Sequence, residues 1–225
     1  FGEVYAETIS LTLDNLILDA SAGRFDVDTG SGSITIAESP SGTSDAGIAL
    51  GQATLGAESV SISGAELARM VGPTLTLEAL ASTDIRVDGV TAAHSDAIDE
   101  IVLDATAAGA TVSFDDGASG NGSTFNNLVV RAAGTISVDS LTLEADGSSG
   151  NGDITFETPV LLEGDGTVTI VAAGTVATDA TLSSSGPTDE DLRLFTQDLR
   201  VGDGAGDEID LGSGNLLVAT RNGSE

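Results

Sequence analysis

Short units with apolar residues two positions apart recur along the whole chain, and no other feature constrains the fold as strongly. The clearest units span residues 9–13, 25–27, 34–36, 60–62, 75–77, 85–87, 101–103, 112–114, 128–130, 136–138, 141–143, 154–156, 168–170, 192–194, 199–201, 209–211 and 216–218. A period of two predicts β-strands with one buried face. Turns rich in Gly, Ser, Asn and Asp separate the units, and helical spacing is almost absent. We therefore expect an all-β chain.

The strand units repeat in pairs. Leu75, Ile101 and Leu128 begin the first members of three successive pairs, 26 and 27 residues apart. A period of this length, with two or three short strands in it, is typical of one coil of a solenoid. Two nearly identical phrases, Ala-Ala-Gly-Thr-Ile at 132–136 and Ala-Ala-Gly-Thr-Val at 172–176, predict that the same corner is reused. A sandwich or an up-and-down barrel would need fewer and longer strands.

The composition fits a thin solenoid core. Hydrophobic residues make up 40% of the chain but aromatic residues only 3%, so small aliphatic side chains must fill the interior. We predict a single-domain parallel β-solenoid over residues 1–225, with about nine short coils and a length of about 43 Å. Its handedness stays open. Residues 183–191, which include Pro187, are the best candidate for a break or an insertion.

The charge balance excludes several partners. The chain has 36 acidic and 7 basic residues, all seven of them Arg, and its formal net charge is -29. Nucleic-acid binding needs clustered cations, and an anionic membrane surface would repel such a chain. No apolar run is long enough to insert into a membrane. Because Cys is absent, disulfides, thiolate zinc sites and a Cys nucleophile are also excluded.

One stretch departs from the strand pattern. In residues 63–70, Leu67 and Met70 lie three positions apart and could turn a helical corner inward, while Glu66 and Arg69 stay in solvent. The whole unit over residues 60–91 continues with Thr-Leu-Thr-Leu and then Asp-Ile-Arg-Val-Asp-Gly-Val. It resembles the units of the giant filamentous-haemagglutinin-type repetitive proteins of bacteria, and the resemblance extends loosely over most of the chain. It implies a secreted β-helical adhesin.

The residues that could carry catalysis are few. The sole histidine, His94, precedes Asp96 by two positions, but a Ser-His-Asp arrangement also needs an oriented nucleophile and an oxyanion hole. We interpret His94 as a surface residue. Asp115 and Asp116, or the acidic triplet 189–191, could serve as the paired acid and base of a β-helical polysaccharide lyase or hydrolase. The lack of Trp and Lys argues against such a carbohydrate cleft.

Three further motifs have an ordinary structural interpretation. Residues 202–210 resemble one calcium-binding nonapeptide, in which Asp207 and Ile209 match but Asp203 and Ala205 replace glycines. We interpret this segment as an acidic turn. Thr-x-Thr units at 74–76 and 167–169 suggest an ice-binding face, yet no regular array follows. Two Asn-Gly-Ser sequences, at 121–123 and 222–224, fit the glycosylation acceptor pattern and are also common turns.

We expect a noncatalytic structural and adhesive protein, secreted to the outside of a bacterial cell. The chain would be a slice of a longer array or a stacking subunit, and it would bind adjoining repeats, other copies of itself, or surface glycans of host or neighbouring cells. The main alternative is a filament or surface-layer subunit that polymerises through its coil ends or through a donated strand from residues 1–18. A polysaccharide lyase or hydrolase is the weaker alternative. No catalytic, cofactor-binding or metal-binding residue is assigned, and calcium is the one cation worth testing.

Overall fold

The computed structural model describes residues 4–13, 25–27, 32–38, 47–55, 60–80, 83–115, 122–139, 141–164, 166–184, 190–202, 204 and 207–221. The described residues are almost entirely β, with 59% of them in strands and 5% in helices, and the chain forms one domain, a parallel β-solenoid of about seven turns. The predicted fold class is confirmed, but nine coils were too many. Ile34 and Leu75, which pair in adjacent strands, are 41 residues apart, so one coil is far longer than the repeat suggested.

The described elements follow one another in short steps. The first half contains β1 (Val4–Ala6), β2 (Thr8–Leu13), β3 (Phe25–Val27), β4 (Ser33–Glu38), β5 (Gly47–Gly51), β6 (Val60–Ser63), α1 (Gly64–Leu67), β7 (Met70–Glu78), β8 (Asp84–Asp88), α2 (Ala92–Ser95), β9 (Ile98–Ala105) and β10 (Val112–Phe114). The second half contains β11 (Ser123–Phe125), β12 (Leu128–Ala132), β13 (Ile136–Val138), β14 (Thr142–Ala145), β15 (Ile154–Phe156), β16 (Val160–Leu162), β17 (Thr167–Ala172), β18 (Thr175–Thr178), β19 (Leu182–Ser184), β20 (Asp191–Thr196), β21 (Asp198–Val201), β22 (Ile209–Asp210) and β23 (Leu216–Thr220).

Three parallel sheets form the sides of the solenoid. The first sheet runs β2-β4-β7-β9-β12-β15-β18-β21. Two further strands belong to it: β1 pairs with β3, and β3 pairs with the first residues of β7. The second runs β6-β5-β8-β10-β13-β16-β19-β22, and the third runs β11-β14-β17-β20-β23. We call one level of this stack a rung. The first and second sheets each have eight rungs in the described part of the chain, so their ends are level with each other.

In-register pairing stacks like residues in columns. Ile101 pairs with Leu128, Leu128 with Ile154, and Ile154 with Val176, all along the first sheet. These side chains are fully or almost fully buried, while Val129 and Thr155, which lie between two such positions, are partly exposed. Small β-branched and aliphatic side chains suit this geometry because each one packs on its equivalents about 4.8 Å above and below. All seventeen predicted strand units coincide with or overlap strands of the structure.

The chain turns back after β5, so that β6 forms the first rung of the second sheet. β6 follows β5 in sequence, yet it pairs with the side of β5 that faces away from β8. Ile48 thus lies between Val60 on one side and Ile85 on the other. This backward step, together with α1, accounts for the long coil between β4 and β7. It also gives the second sheet the same number of rungs as the first sheet.

The third side changes its structure along the stack. One-turn helices α1 and α2 pack on each other at this side, and α2 in turn contacts β11, the first strand of the third sheet. The Ser95 hydroxyl donates to the Thr124 carbonyl (3.0 Å), and the Thr124 N–H donates to the Val90 carbonyl (2.8 Å), which joins the helical corner to the sheet. The predicted helical corner is confirmed, with Leu67 and Met70 buried.

Two details of the predicted turns differ in the structure. Residues 132–136 connect β12 of the first sheet to β13 of the second, whereas 172–176 connect β17 of the third sheet to β18 of the first. The repeated phrase therefore serves two different corners, because both need the same sharp bend between buried strands. Strand pairing continues on both sides of the suspected break at 183–191.

No helix in the described part of the chain is long and apolar enough to cross a membrane.

Candidate interaction surfaces

The sole histidine has a structural position at a corner. His94 is the third residue of α2, and its Nδ1 accepts the Thr91 N–H at 3.3 Å. Its ring lies on Gly64 of α1, where a Cβ atom would overlap the imidazole. The equivalent corner at α1 uses Ser63 and Glu66 in a reciprocal capping box. His94 thus closes a corner in the same way as Glu66, and its ring fills the space above a glycine.

Acceptor side chains link the corners of successive coils. Asp84 Oδ1 accepts from the Thr111 hydroxyl (2.7 Å), and Asp153 Oδ1 accepts the Thr175 N–H (2.6 Å). In both cases the acceptor lies one coil earlier than the donor. Asp84 Oδ1 also accepts the Thr111 N–H (3.3 Å), so each aspartate satisfies a corner N–H of the next coil. Asp84 and Asp153 therefore contribute to holding the stack together.

Asn126 is the most highly connected of these corner residues. It is buried, and its Nδ2 donates to the Ile98 carbonyl (2.7 Å) of the coil below and to Ser149 Oγ (2.6 Å) of the coil above. Its Oδ1 accepts from the Ser148 hydroxyl at 2.5 Å. Its neighbour Asn127 accepts the N–H groups of Gly152 (2.9 Å) and Asp153 (3.0 Å). Two adjacent asparagines thus clamp three coils.

The acidic residues considered for catalysis occupy similar structural positions. Glu190 is buried and accepts a short hydrogen bond from the Ser184 hydroxyl. Asp191 Oδ1 accepts the backbone N–H (2.9 Å) and the side-chain amide (2.7 Å) of Asn215, and these bonds hold the pKa of the Asp191 carboxyl below its ordinary value. Asp115 forms an ion pair with Arg86 at 3.2 Å. Asp116 and Asp189 lie outside the described residues.

Charged side chains also form columns on the outer faces. At the end of the first sheet's strands, Arg131 lies between Asp104 (3.6 Å) and Glu157 (2.7 Å). The hydrogen bond to Glu157 raises the pKa of the Arg131 guanidinium above its ordinary value. At the end of the second sheet's strands, Asp115, Asp139 and Glu163 occupy equivalent positions on successive rungs, each donating its N–H to the strand below. The outer faces of the first and second sheets, which we call the flanks, therefore carry columns of acidic residues, and Arg131 lies between two of them.

The other predicted motifs do not come together. Asp207 Oδ2 accepts the Gly204 N–H (2.6 Å) within its own turn, while Asp203 and Ala205 lie outside the described residues. Among the residues that are described, no group of three or more His, Asp or Glu side chains is placed to hold a metal ion. The two Thr-x-Thr units lie on different sheets, and Asn121 and Asn222 are outside the described part of the chain.

A shallow groove lies where the helical corners give way to the third sheet. It has a volume of about 350 Å³ and is lined by Val90, Thr91, Ala92, Gly122, Thr124 and Thr142. Gly122 passes so close to the Thr142 carbonyl that a Cβ atom would overlap it. The described lining offers hydroxyl and backbone groups but no ionisable side chain, so it does not resemble an acid–base centre.

Exposed large hydrophobic residues cluster at the C-terminal end of the described stack. Large hydrophobic residues that are exposed number five in the described part of the chain, and four lie on the last turn: Val201, Leu216, Leu217 and Val218. Leu216 and Val218 pair with the buried Leu192 and Leu194, so they continue inward columns, and they are 47% and 46% exposed. Leu217, which pairs with Arg193, faces outward.

The sequence did not indicate the corner clamps. Asn126 and Asn127 lie in a turn whose composition is typical of any loop, and only the structure shows that they bond residues 28 positions earlier and 25 positions later in the chain. The signal that was available is the position of Asn or Asp just before an apolar-x-apolar unit, as at Asn127 and Asp153.

Comparison with protein-family models finds no match, and comparisons with curated proteins and with solved structures find none either.

Proposed function

We propose that this chain is a noncatalytic structural element, a stiff acidic rod within an extracellular or cell-surface protein of a bacterium. The observation that carries the proposal is the single uninterrupted core. Inward columns run through the stack, and corner side chains bond one coil to the next. A rod of this kind holds attached groups apart and repeats weak contacts along its length, which yields avidity. The extracellular placement rests on the resemblance of residues 60–91 to bacterial surface repeats.

An adhesive role would use the flanks. Outward residues of the first and second sheets are mostly Thr, Ser and carboxylates, in columns about 4.8 Å apart. Such a surface supports multiple weak hydrogen bonds to glycan hydroxyls on host or neighbouring cells. The test is binding of the purified chain to immobilised surface glycans and to intact cells. Binding of the monomeric chain that increases with glycan density supports adhesion, and absence of binding at all densities would refute it.

The second candidate is a self-assembling filament or surface-layer subunit. The observation that favours it is the group of exposed apolar residues on β21 and β23. A strand donated from residues 1–18 is the less favoured form, because residues 8–13 already pair with β4 of their own chain. Light scattering as a function of concentration distinguishes a subunit from a single-copy adhesin.

The enzymatic alternative has weaker support. Glu190 and Asp191 bond Ser184 and Asn215, which is the arrangement expected of turn-stabilising residues. We propose that no cofactor is required and that calcium has no specific site. Incubation with acidic polysaccharides in the presence of calcium tests the noncatalytic role, and release of unsaturated or reducing ends would overturn it. Thermal melts with and without calcium test the ion, and a calcium-dependent rise in Tm would show a specific site.

A further inference from the structure

We propose that Asn151 is a site of chemical modification that the fold protects: the side chain of Asn127 blocks its conversion to aspartate and isoaspartate. The inference does not depend on the proposed function. Asparagine is a thermolabile residue, and a following glycine leaves its side chain open to attack because glycine has no Cβ atom. The sequence contains three Asn-Gly pairs, at 121–122, 151–152 and 222–223. The second pair lies in the turn between β14 and β15, which we call the β15 corner, and Asn151 is exposed there.

The reaction needs only the chain and water. The backbone nitrogen of Gly152 gives up its proton and attacks Cγ of Asn151. A new N–Cγ bond closes a succinimide ring as the Cγ–Nδ2 bond breaks, and the side-chain nitrogen takes up the proton and leaves as ammonia. Water then adds to a ring carbonyl and cleaves its bond to the ring nitrogen. Cleavage at Cγ gives aspartate, and cleavage at the backbone carbonyl gives isoaspartate, whose main chain runs through Cβ and Cγ.

The β15 corner requires the glycine that makes this asparagine labile. Gly152 has a φ of +76°, a left-handed conformation that other residues rarely adopt. A Cβ atom at this position would also overlap the Cβ atom of Ala173 on the next coil. Any side chain at position 152 would therefore strain the corner. The pair is built into the turn, and its protection has to come from contacts with the neighbouring coils.

Asn127 holds the nitrogen that would attack. Its Oδ1 accepts the Gly152 N–H (2.9 Å) and the Asp153 N–H (3.0 Å). An N–H group that donates a hydrogen bond is harder to deprotonate, because the acceptor stabilises the protonated form and would repel the anion. The Gly152 nitrogen must also leave Asn127 before it can bond to Cγ of Asn151. Both effects slow ring closure while the hydrogen bond is intact.

Further contacts keep the β15 corner closed on both sides. The Gly152 carbonyl accepts the Gly174 N–H (2.9 Å) from the next coil. On the preceding coil, Asn127 Nδ2 donates to the Asp99 carbonyl (2.8 Å), which fixes the orientation of the amide and so of Oδ1. Gly150 passes so close to this amide that a Cβ atom would overlap its Nδ2. Ring closure therefore requires local opening of the corner, and its rate reports how often the corner opens.

Conversion would make such an opening permanent. Isoaspartate lengthens the main chain just before Gly152, so the N–H groups of Gly152 and Asp153 no longer match the position of Asn127 Oδ1. Either product also adds a carboxylate near Asp153 in a chain whose net charge is -29. The corner leads into β15, which joins β12 to β18 in the first sheet. Modification at Asn151 would therefore loosen the stack in its middle.

The first experiment compares folded and unfolded wild-type protein. Both are incubated in the same mildly alkaline buffer, one without and one with urea, and mass spectrometry of proteolytic peptides follows asparagine, aspartate and isoaspartate at position 151. We expect conversion of Asn151 to be much slower in the folded protein. The Gly152 amide should also be protected from hydrogen exchange in the folded protein. Equal conversion rates with and without urea, or exchange at Gly152 as fast as in urea, would overturn the proposal.

A matched pair of variants tests the role of Asn127. Asn127→Ala removes the acceptor, Asn127→Asp keeps a side-chain oxygen, and both lose the donor to Asp99. Asp153 occupies the equivalent position one coil later and accepts the Thr175 N–H (2.6 Å), so an aspartate suits this place. We expect Asn151 to convert about tenfold faster in N127A, the factor that corresponds to two ordinary hydrogen bonds. N127D should convert at close to the wild-type rate.

Gly64→Ala separates local protection from general stability. It forces extra volume against His94 at the corner of α1 and α2, away from the β15 corner, and leaves Asn127 unchanged. We expect wild-type conversion of Asn151 in this variant. Three outcomes would overturn the proposal: N127A at the wild-type rate, equal rates in N127A and N127D, or equal acceleration in N127A and G64A. If N127A does not fold, the wild-type comparison and N127D still decide, since N127D that folds but converts as fast as the unfolded chain contradicts protection by the acceptor.

Discussion

The imidazole ring of His94 lies on Gly64 of the preceding corner, so that these two residues fix how closely α1 and α2 approach each other. The corner helices are each a single turn, and such short helices derive little stability from their own hydrogen bonds. Their positions therefore depend on this contact and on the capping bonds at Ser63 and Thr91.

We predict that Gly64→Ala destabilises the chain by about 1–3 kcal/mol, the usual cost of forcing extra volume into a packed site. In a His94→Ala background the same change should be neutral or stabilising, because the methyl group then has space and Ala favours the helix over Gly. Urea unfolding of the two single variants and the double variant measures the coupling. Equal effects of G64A in both backgrounds would show that the ring contact is not responsible.

The asparagine clamp leads to a second prediction. Asn126→Leu keeps the side-chain volume but removes both donors and the acceptor, so the buried Ile98 carbonyl loses the hydrogen bond from Asn126. A buried polar group without a partner costs about 1–3 kcal/mol, so we expect a loss of at least that size. Asn151→Leu is the control, since Asn151 is exposed on the next coil. Hydrogen exchange should accelerate around residues 95–98 and 148–149 in the first variant alone.

The cation between two carboxylates leads to a third prediction. Arg131 bonds Asp104 and Glu157 on neighbouring rungs, so Arg131→Gln leaves two like charges facing each other across the sheet. Because the side chains of Arg131 and Glu157 are more than one-third exposed, the expected loss is only about 0.5–1 kcal/mol at low salt. Arg200→Gln, at a pair that is far more exposed, should change stability by close to zero. The R131Q effect should shrink as salt is added. An effect that is independent of salt would indicate lost packing instead.

The strands were predictable because the apolar-x-apolar unit reports directly on a buried column. Each coil repeats the same one-sided environment, so Leu128 and Ile136 carry the same signal as Ile101 and Val112. Some strands were missed. In β5, Gly-Ile-Ala-Leu-Gly, the apolar-x-apolar unit lies between two glycines, and in β18, Thr-Val-Ala-Thr, the second inward position holds the buried Thr178.

The backward step of β6 was not predictable from periodicity. Val60 and Ile62 have the same apolar-x-apolar pattern as the other strands. That pattern does not tell whether β6 pairs with the side of β5 that faces away from β8 or continues the stack on the other side. The corner bonds were missed for a similar reason. A polar residue in a turn forms its partner contact one coil away in space, and a local pattern carries no information about which N–H group will be there.

The last prediction concerns pH and the attachment of the final strand. Asp191 accepts two hydrogen bonds from Asn215, which joins the start of β20 to the turn before β23 and lowers the pKa of the Asp191 carboxyl. A folded-state pKa below the unfolded value means that the ionised form contributes stability above the unfolded pKa, about 3.9. That contribution is lost as the pH falls through the folded pKa.

We therefore expect Asp191→Asn to lower Tm slightly at pH 7 and to have no effect once the pH is below the lowered folded-state pKa, because wild-type Asp191 is then itself protonated. Because the carboxylate is at the surface, the change at neutral pH should be small. Asp179→Asn, at an exposed aspartate, removes the same charge and serves as the control. Thermal melts of the three proteins between about pH 2.5 and 7, a range that spans the titration of an aspartate, measure the difference. A D191N effect that persists unchanged at the lowest pH would mean that the substituted amide holds Asn215 poorly for geometric reasons and that ionisation is not involved.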